Sequence, residues 1–64
     1  MKIIASEPSA VRVELTADEL ITINNALNEV CNGLDLFEFE TRMGATREEV
    51  RSLLAEIGAL LKKM

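Results

Sequence analysis

Histidine, tryptophan and tyrosine are absent from this 64-residue chain, its aromatic side chains are two phenylalanines, and it has one cysteine. Each absence excludes something. Without histidine the chain lacks the commonest general base and metal ligand. The lone Cys31 forms no intrachain disulfide, so the staple of small secreted domains is missing and a reducing, cytoplasmic setting is expected. No stretch approaches the roughly 18 apolar residues of a membrane span, and Met1-Lys2-Ile3-Ile4-Ala5-Ser6 lacks the apolar run of a secretory signal. Neither export by that route nor a membrane partner is expected.

Residues 1–64 make one small domain, 48% hydrophobic by count. A chain of this size buries only about 60% of its unfolded surface, and a single core then supplies roughly 3–5 kcal/mol. A partner chain is therefore the first expectation.

The net charge is −4, from seven basic and eleven acidic side chains. Residues 1–15 are balanced, with Lys2 and Arg12 against Glu7 and Glu14. Residues 16–33 carry −3 (Asp18, Glu19, Glu29) and residues 34–45 carry −2 (Asp35, Glu38, Glu40 against Arg42). Residues 46–64 carry +1, with Arg47, Arg51, Lys62 and Lys63 against Glu48, Glu49 and Glu56. Phosphate binding needs a basic face that releases counterions, so nucleic acid is disfavoured as a partner.

Val11, Val13 and Leu15 alternate with Arg12 and Glu14, the period-two signature of a half-buried strand. Ile3 and Ile4 head a second β-prone run, and Ser6-Glu7-Pro8-Ser9 lies between them as a turn. A hairpin pairing Lys2–Ala5 with Ala10–Leu15 follows. Leu15-Thr16-Ala17-Asp18-Glu19-Leu20 then carries a capping box at Thr16 and Glu19, with Leu15 and Leu20 at the positions of a hydrophobic staple. Leu20, Ile23, Leu27, Val30 and Cys31 form one helical stripe, and Asn32-Gly33 reads as a left-handed stop.

Thr46-Arg47-Glu48-Glu49 repeats the start chemistry. Val50, Leu53, Leu54, Ile57, Leu60, Leu61 and Met64 follow, a stripe wide enough for a core and a second chain. Gly58 interrupts that helix at about 1 kcal/mol against alanine and suggests close approach by a neighbouring backbone. Leu34 to Gly44 admits two readings. With period two, Phe37, Phe39, Thr41 and Met43 share a face; as a helix, Asp35 caps and Leu36, Phe39 and Met43 align. Both bury Phe39 and Met43, and Gly44 as the residue after a helix favours the helical reading.

Catalysis has little to work with. Glu38 and Glu40, or Glu48 and Glu49, could pair as acid and base, but neighbours at those spacings point apart on a helix. Cys31 sits on an apolar face and reads as a small buried hydrophobe. No catalytic, cofactor or metal-ligand set is expected. The candidate partner-binding residues are Asn24, Asn25, Asn28, Asn32 and Arg42. Asparagine is a poor helix former, yet Asn24, Asn28 and Asn32 stand at i, i+4 and i+8, placing three carboxamides on one ridge. Uncharged amides can bond a partner without burying net charge; the plainer reading is a solvated face. Arg42 suits an ion pair with Glu38, a bond to carbonyls ending the middle helix, or a partner contact.

The run Thr41 to Val50 also has the form of a helix-turn-helix turn. Its second helix opens with Glu48 and Glu49, which would approach phosphates, leaving Arg47 and Arg51 as its basic groups.

The runs Asn25-Ala26-Leu27-Asn28-Glu29-Val30 and Phe39-Glu40-Thr41-Arg42-Met43-Gly44, followed by Arg47-Glu48-Glu49-Val50 and Leu53-Leu54, resemble small bacterial proteins of uncharacterised function. The likeness spans most of residues 15–57. It implies a bacterial cytoplasmic protein and carries over no activity, cofactor or catalytic residue.

The expected fold is α+β: an N-terminal β-hairpin followed by two long helices with a short helical segment between them, the helices packing on one face of the hairpin. A lone hairpin is marginal and its edge is a template for pairing, so a homodimer is expected. The expected function is non-enzymatic: a protein–protein interaction or regulatory module that binds itself or another protein. The alternatives are a DNA-associated helix-turn-helix regulator and an antitoxin- or immunity-type inhibitor of a basic partner.

Overall fold

Strand β1 (Lys2–Glu7) and strand β2 (Ala10–Glu14) pair antiparallel at the start of a computed structural model that describes residues 1–64. Pro8 and Ser9 alone form the turn, so Ser6 and Glu7 belong to the strand and Leu15 lies beyond it. Neither turn residue has positive φ, which excludes the primed turns whose twist best matches flanking strands. Register runs Lys2 to Glu14, Ile3 to Val13, Ala5 to Arg12, Ser6 to Val11 and Glu7 to Ala10, with a bulge that leaves Ile4 as the extra residue.

Helix α1 (Ala17–Asn28) begins with the capping box at Thr16: its hydroxyl accepts from the Glu19 amide at 3.1 Å, and the Glu19 carboxylate accepts from the Thr16 amide at 2.9 Å. Its end differs from the left-handed stop read at Asn32-Gly33. Residues Glu29–Gly33 widen into a π-helical turn, closed by the Leu34 amide donating to the Glu29 carbonyl at 2.8 Å, and Gly33 keeps negative φ. Gly33 serves a different purpose, since a Cβ there would lie 2.6 Å from the Glu29 carboxylate folded over the turn.

Helix α2 (Phe39–Met43) is shorter than the helical reading of 34–44, and Asp35 does not cap it. Glu38 precedes it in the left-handed region, at φ 56°, which a residue with a Cβ adopts at a cost of about 1–2 kcal/mol. Gly44 ends it at φ 73°, its amide donating to the Glu40 carbonyl at 2.8 Å. Helix α3 (Arg47–Lys63) opens with the second capping box, between Thr46 and Glu49, and closes with Lys62 and Lys63 in its last turn. The helices number 12, 5 and 17 residues, so one helix rather than two is long; the π-turn takes up the end of the first.

Helices α1 and α3 run antiparallel. Arg47, at the start of α3, reaches Cys31 beyond the end of α1, and Gly58 lies beside Asn24. Cys31, Phe39 and Val50 are buried at the centre, ringed by the partly buried Leu27, Val30, Leu36, Met43, Ala45 and Leu54. Leu20 is buried outside that cluster. A Cβ on Gly58 would meet nothing nearer than the Asn24 side-chain oxygen at 3.9 Å, so the close backbone approach anticipated there does not occur.

The helices do not pack on the hairpin. Every residue of β1 and β2 is exposed, and the strands make no extended contact with any helix. The hairpin is tied in at its base, where the Met1 amine pairs with Glu19. The radius of gyration is 13.1 Å, against about 11 Å for a compact chain of 64 residues. The accessible surface of 5155 Å² exceeds by about 1,100 Å² the roughly 4,100 Å² expected for 7.1 kDa.

Candidate functional site

Strand register sorts the hairpin into two unlike faces. Paired residues share a face and alternate along the strand. Ile3, Val13, Ser6 and Val11 therefore lie on one face, and Lys2, Glu14, Ala5, Arg12, Glu7 and Ala10 on the other. The first is apolar but for Ser6, and it is exposed: Ile3 at 64%, Val11 at 57% and Val13 at 38%. Ile4, in the bulge between them, is exposed as well. Parity carries the apolar face on to Leu15, which with Met1, Glu19, Thr22 and Ile23 lines an open depression of about 310 Å³ at the arm's base. A second open depression of about 230 Å³ adjoins it, edged by Lys2, Glu14 and Thr16.

Glu19 closes this base. Its carboxylate is held below its ordinary value of 4.5, chiefly by bonding to the chain's N-terminal amine and then to the Thr16 backbone amide, against a smaller opposing effect of desolvation. Glu49 is likewise lowered, by the Thr46 amide and hydroxyl. The Glu49 shift belongs to helix capping, and the Glu19 shift first to its ion pair with the N-terminal amine and then to capping.

A second apolar strip runs along the outside of α3. Val50 is buried, Leu54 is half-buried against the core, and Ile57 and Leu61 are half-buried, while Leu53, Leu60 and Met64 are exposed. Phe37, in the segment before α2, is 76% exposed.

The asparagine ridge is divided among three settings. Asn24 is half-buried beside Gly58, Asn28 and Asn32 bond to each other at 2.9 Å, and Asn25 is exposed and free of side-chain bonds. Arg42 is exposed and makes neither the ion pair with Glu38 nor a bond to a helix carbonyl. Arg47 does the work of tying elements together. Its guanidinium donates to the Cys31 carbonyl at 3.1 Å and lies 4.4 Å from the centre of the Phe39 ring, joining the π-turn, α2 and α3. Of the two arginines in the helix-turn-helix reading, Arg47 thus faces inward and Arg51 is exposed.

Local spacing gave no sign of Arg47's role, because Cys31 lies 16 residues away. The alternation through Val11 and Val13 did mark the hairpin's apolar face, though not that it stands uncovered. The structure contains no group of three or more His, Cys, Asp or Glu side chains placed to hold a metal ion. No helix is long and apolar enough to cross a membrane. No protein-family model, no curated protein and no solved structure matches the chain.

Proposed function

We propose that this chain is a small non-enzymatic module that acts through protein–protein contact and associates with itself. One observation carries the reading: the chain exposes about 1,100 Å² more than a compact protein of its mass, with twelve large hydrophobic side chains exposed. Each partner in a standard interface contributes about 800 Å², so the surplus is of the size one interface covers. The shallow, open depressions at the arm's base suit a protein surface better than a small substrate. Sedimentation equilibrium over a micromolar concentration series tests this, with a rise from 7.1 kDa toward twice that mass as the expected result. A single 7.1 kDa species at every concentration refutes self-association.

A second reading is favoured by charge. Residues 16–45 carry −5, from Asp18, Glu19, Glu29, Asp35, Glu38 and Glu40 against Arg42, and all but the half-buried Glu19 are exposed. Such a surface suits masking of a basic partner, as an antitoxin- or immunity-type inhibitor does. A complex captured from host lysate that dissociates steeply with salt supports it, and a salt-insensitive one counts against it.

A further inference from the structure

The surface through which the chain associates can be identified from register, charge and area together. We infer that two copies pair hairpin on hairpin, the apolar face carrying Ile3, Val11 and Val13 in each arm packed against the same face of the other. This rests on the self-association proposed above and specifies its geometry.

Three observations converge on it. The hairpin is amphipathic by register, yet its apolar face makes no extended contact with a helix of its own chain. An isolated two-stranded sheet is marginal in water, and stacking a second sheet on its apolar face supplies the missing layer.

Area is the second. The chain exposes about 1,100 Å² more than a compact protein of its mass, the arm's Ile3, Ile4, Val11 and Val13 are among its exposed apolar side chains, and a standard interface takes about 800 Å² from each partner. The hairpin face continues through Leu15 into the depression with Met1 and Ile23, which extends the patch beyond the strands.

Charge chooses the occupant. Residues 1–15 are neutral, with Lys2 and Arg12 offset by Glu7 and Glu14, while the rest of the chain holds the whole net charge of −4. A basic protein would be drawn to residues 16–45 and gain nothing electrostatic from the arm. Two copies of an acidic chain meet with least repulsion through their neutral parts, and those are the arms. All four charged side chains lie on the polar face, so joining the apolar faces buries none of them. The contact is isologous, one patch on its own copy, and closes at two chains by two-fold symmetry.

The test uses the full chain and two lysine substitutions one residue apart. Val11→Lys places a charge on the apolar face, and Ala10→Lys places one on the polar face opposite Glu7. By sedimentation equilibrium, Val11→Lys is expected to weaken dimerisation by about a hundredfold or more, and Ala10→Lys to leave it within about threefold of the parent. Helical ellipticity at 222 nm should be unchanged in both, because the strands support no helix. In a dimer mixed from isotope-labelled and unlabelled chains, intermolecular NOEs should join the methyls of Ile3, Val11 and Val13. A dimer that resists Val11→Lys but is broken by Leu53→Lys on α3 overturns the hairpin pairing while leaving self-association standing. A parent chain that stays monomeric overturns both. NOEs from the hairpin methyls to their own helices alone would also overturn it, by showing that the arm folds back.

Discussion

Replacing Arg47 by methionine keeps a long flexible stem and removes the guanidinium, which isolates the contacts that head group makes. Its bond to the Cys31 carbonyl, at 3.1 Å, is a charge-assisted hydrogen bond of a class worth about 1.5–3 kcal/mol. The stack on Phe39 at 4.4 Å adds about 0.5–1 kcal/mol for a cation that is only partly buried. Taking the lower end of each gives a loss of about 2 kcal/mol, close to half of the roughly 3–5 kcal/mol a core of this size supplies. Urea unfolding followed at 222 nm, at fixed protein concentration, reads the loss directly. With a slope near 1 kcal/mol/M the midpoint falls by about 2 M. Arg47→Lys keeps the charge but not the planar fork, and should fall between the two. A double-mutant cycle with Phe39→Leu separates the stack from the hydrogen bond. A loss below about 0.5 kcal/mol for Arg47→Met would refute the claim that this side chain joins the three elements.

Other positions give sharp expectations. Glu38→Gly removes the left-handed strain at φ 56° and, after the entropy lost by glycine, should raise stability by about 0.5–1 kcal/mol; a decrease would mean that the glutamate side chain has a structural role. Gly58→Ala meets only an atom at 3.9 Å and should stabilise α3 by about 1 kcal/mol, raising Tm by about 4–8 °C in a calorimetric scan. A lowered Tm would reveal that something outside this chain occupies the space. Acid should weaken the fold through Glu19 and Glu49. Their folded pKa values lie below the ordinary 4.5, so the stability they add is fully present above that value and is lost as pH falls through the lower folded values. A urea midpoint measured from about pH 6 down to about pH 3 should drop, and Glu49→Gln should flatten part of the slope. Equal slopes in parent and variant would remove Glu49 from the account.

Local chemistry was legible in the sequence, and contacts between distant segments were not. Both capping boxes form where Thr16 with Glu19 and Thr46 with Glu49 announced them, because each needs only four consecutive residues and a helix to follow. Gly44 ends α2 as read, and Cys31 is buried. The π-turn was hidden because its extra residue leaves the apolar spacing through Leu27 and Cys31 looking like ordinary helix. Glu38 was hidden because nothing in its identity favours positive φ. The alternation of the hairpin was read correctly, but what it faces is not encoded in alternation: period two marks an apolar face and says nothing of what covers it. The contact residues expected from the sequence, Asn24, Asn25, Asn28, Asn32 and Arg42, lie outside the hairpin face proposed as the interface. Two of those asparagines, Asn28 and Asn32, are occupied with each other.

Cys31 is the chain's only thiol, and it is 4% exposed beneath the Arg47 clasp. A disulfide reagent in solution therefore reaches it only when the helical unit opens. If that opening costs the roughly 3–5 kcal/mol available to the core, labelling runs about two to nearly four orders of magnitude slower than for a free cysteine. The chain thus contains its own clock for rare openings, and no foreign label is needed to read it. Because the arm lies outside the clasp, the clock times the helices separately from whatever the strands are doing.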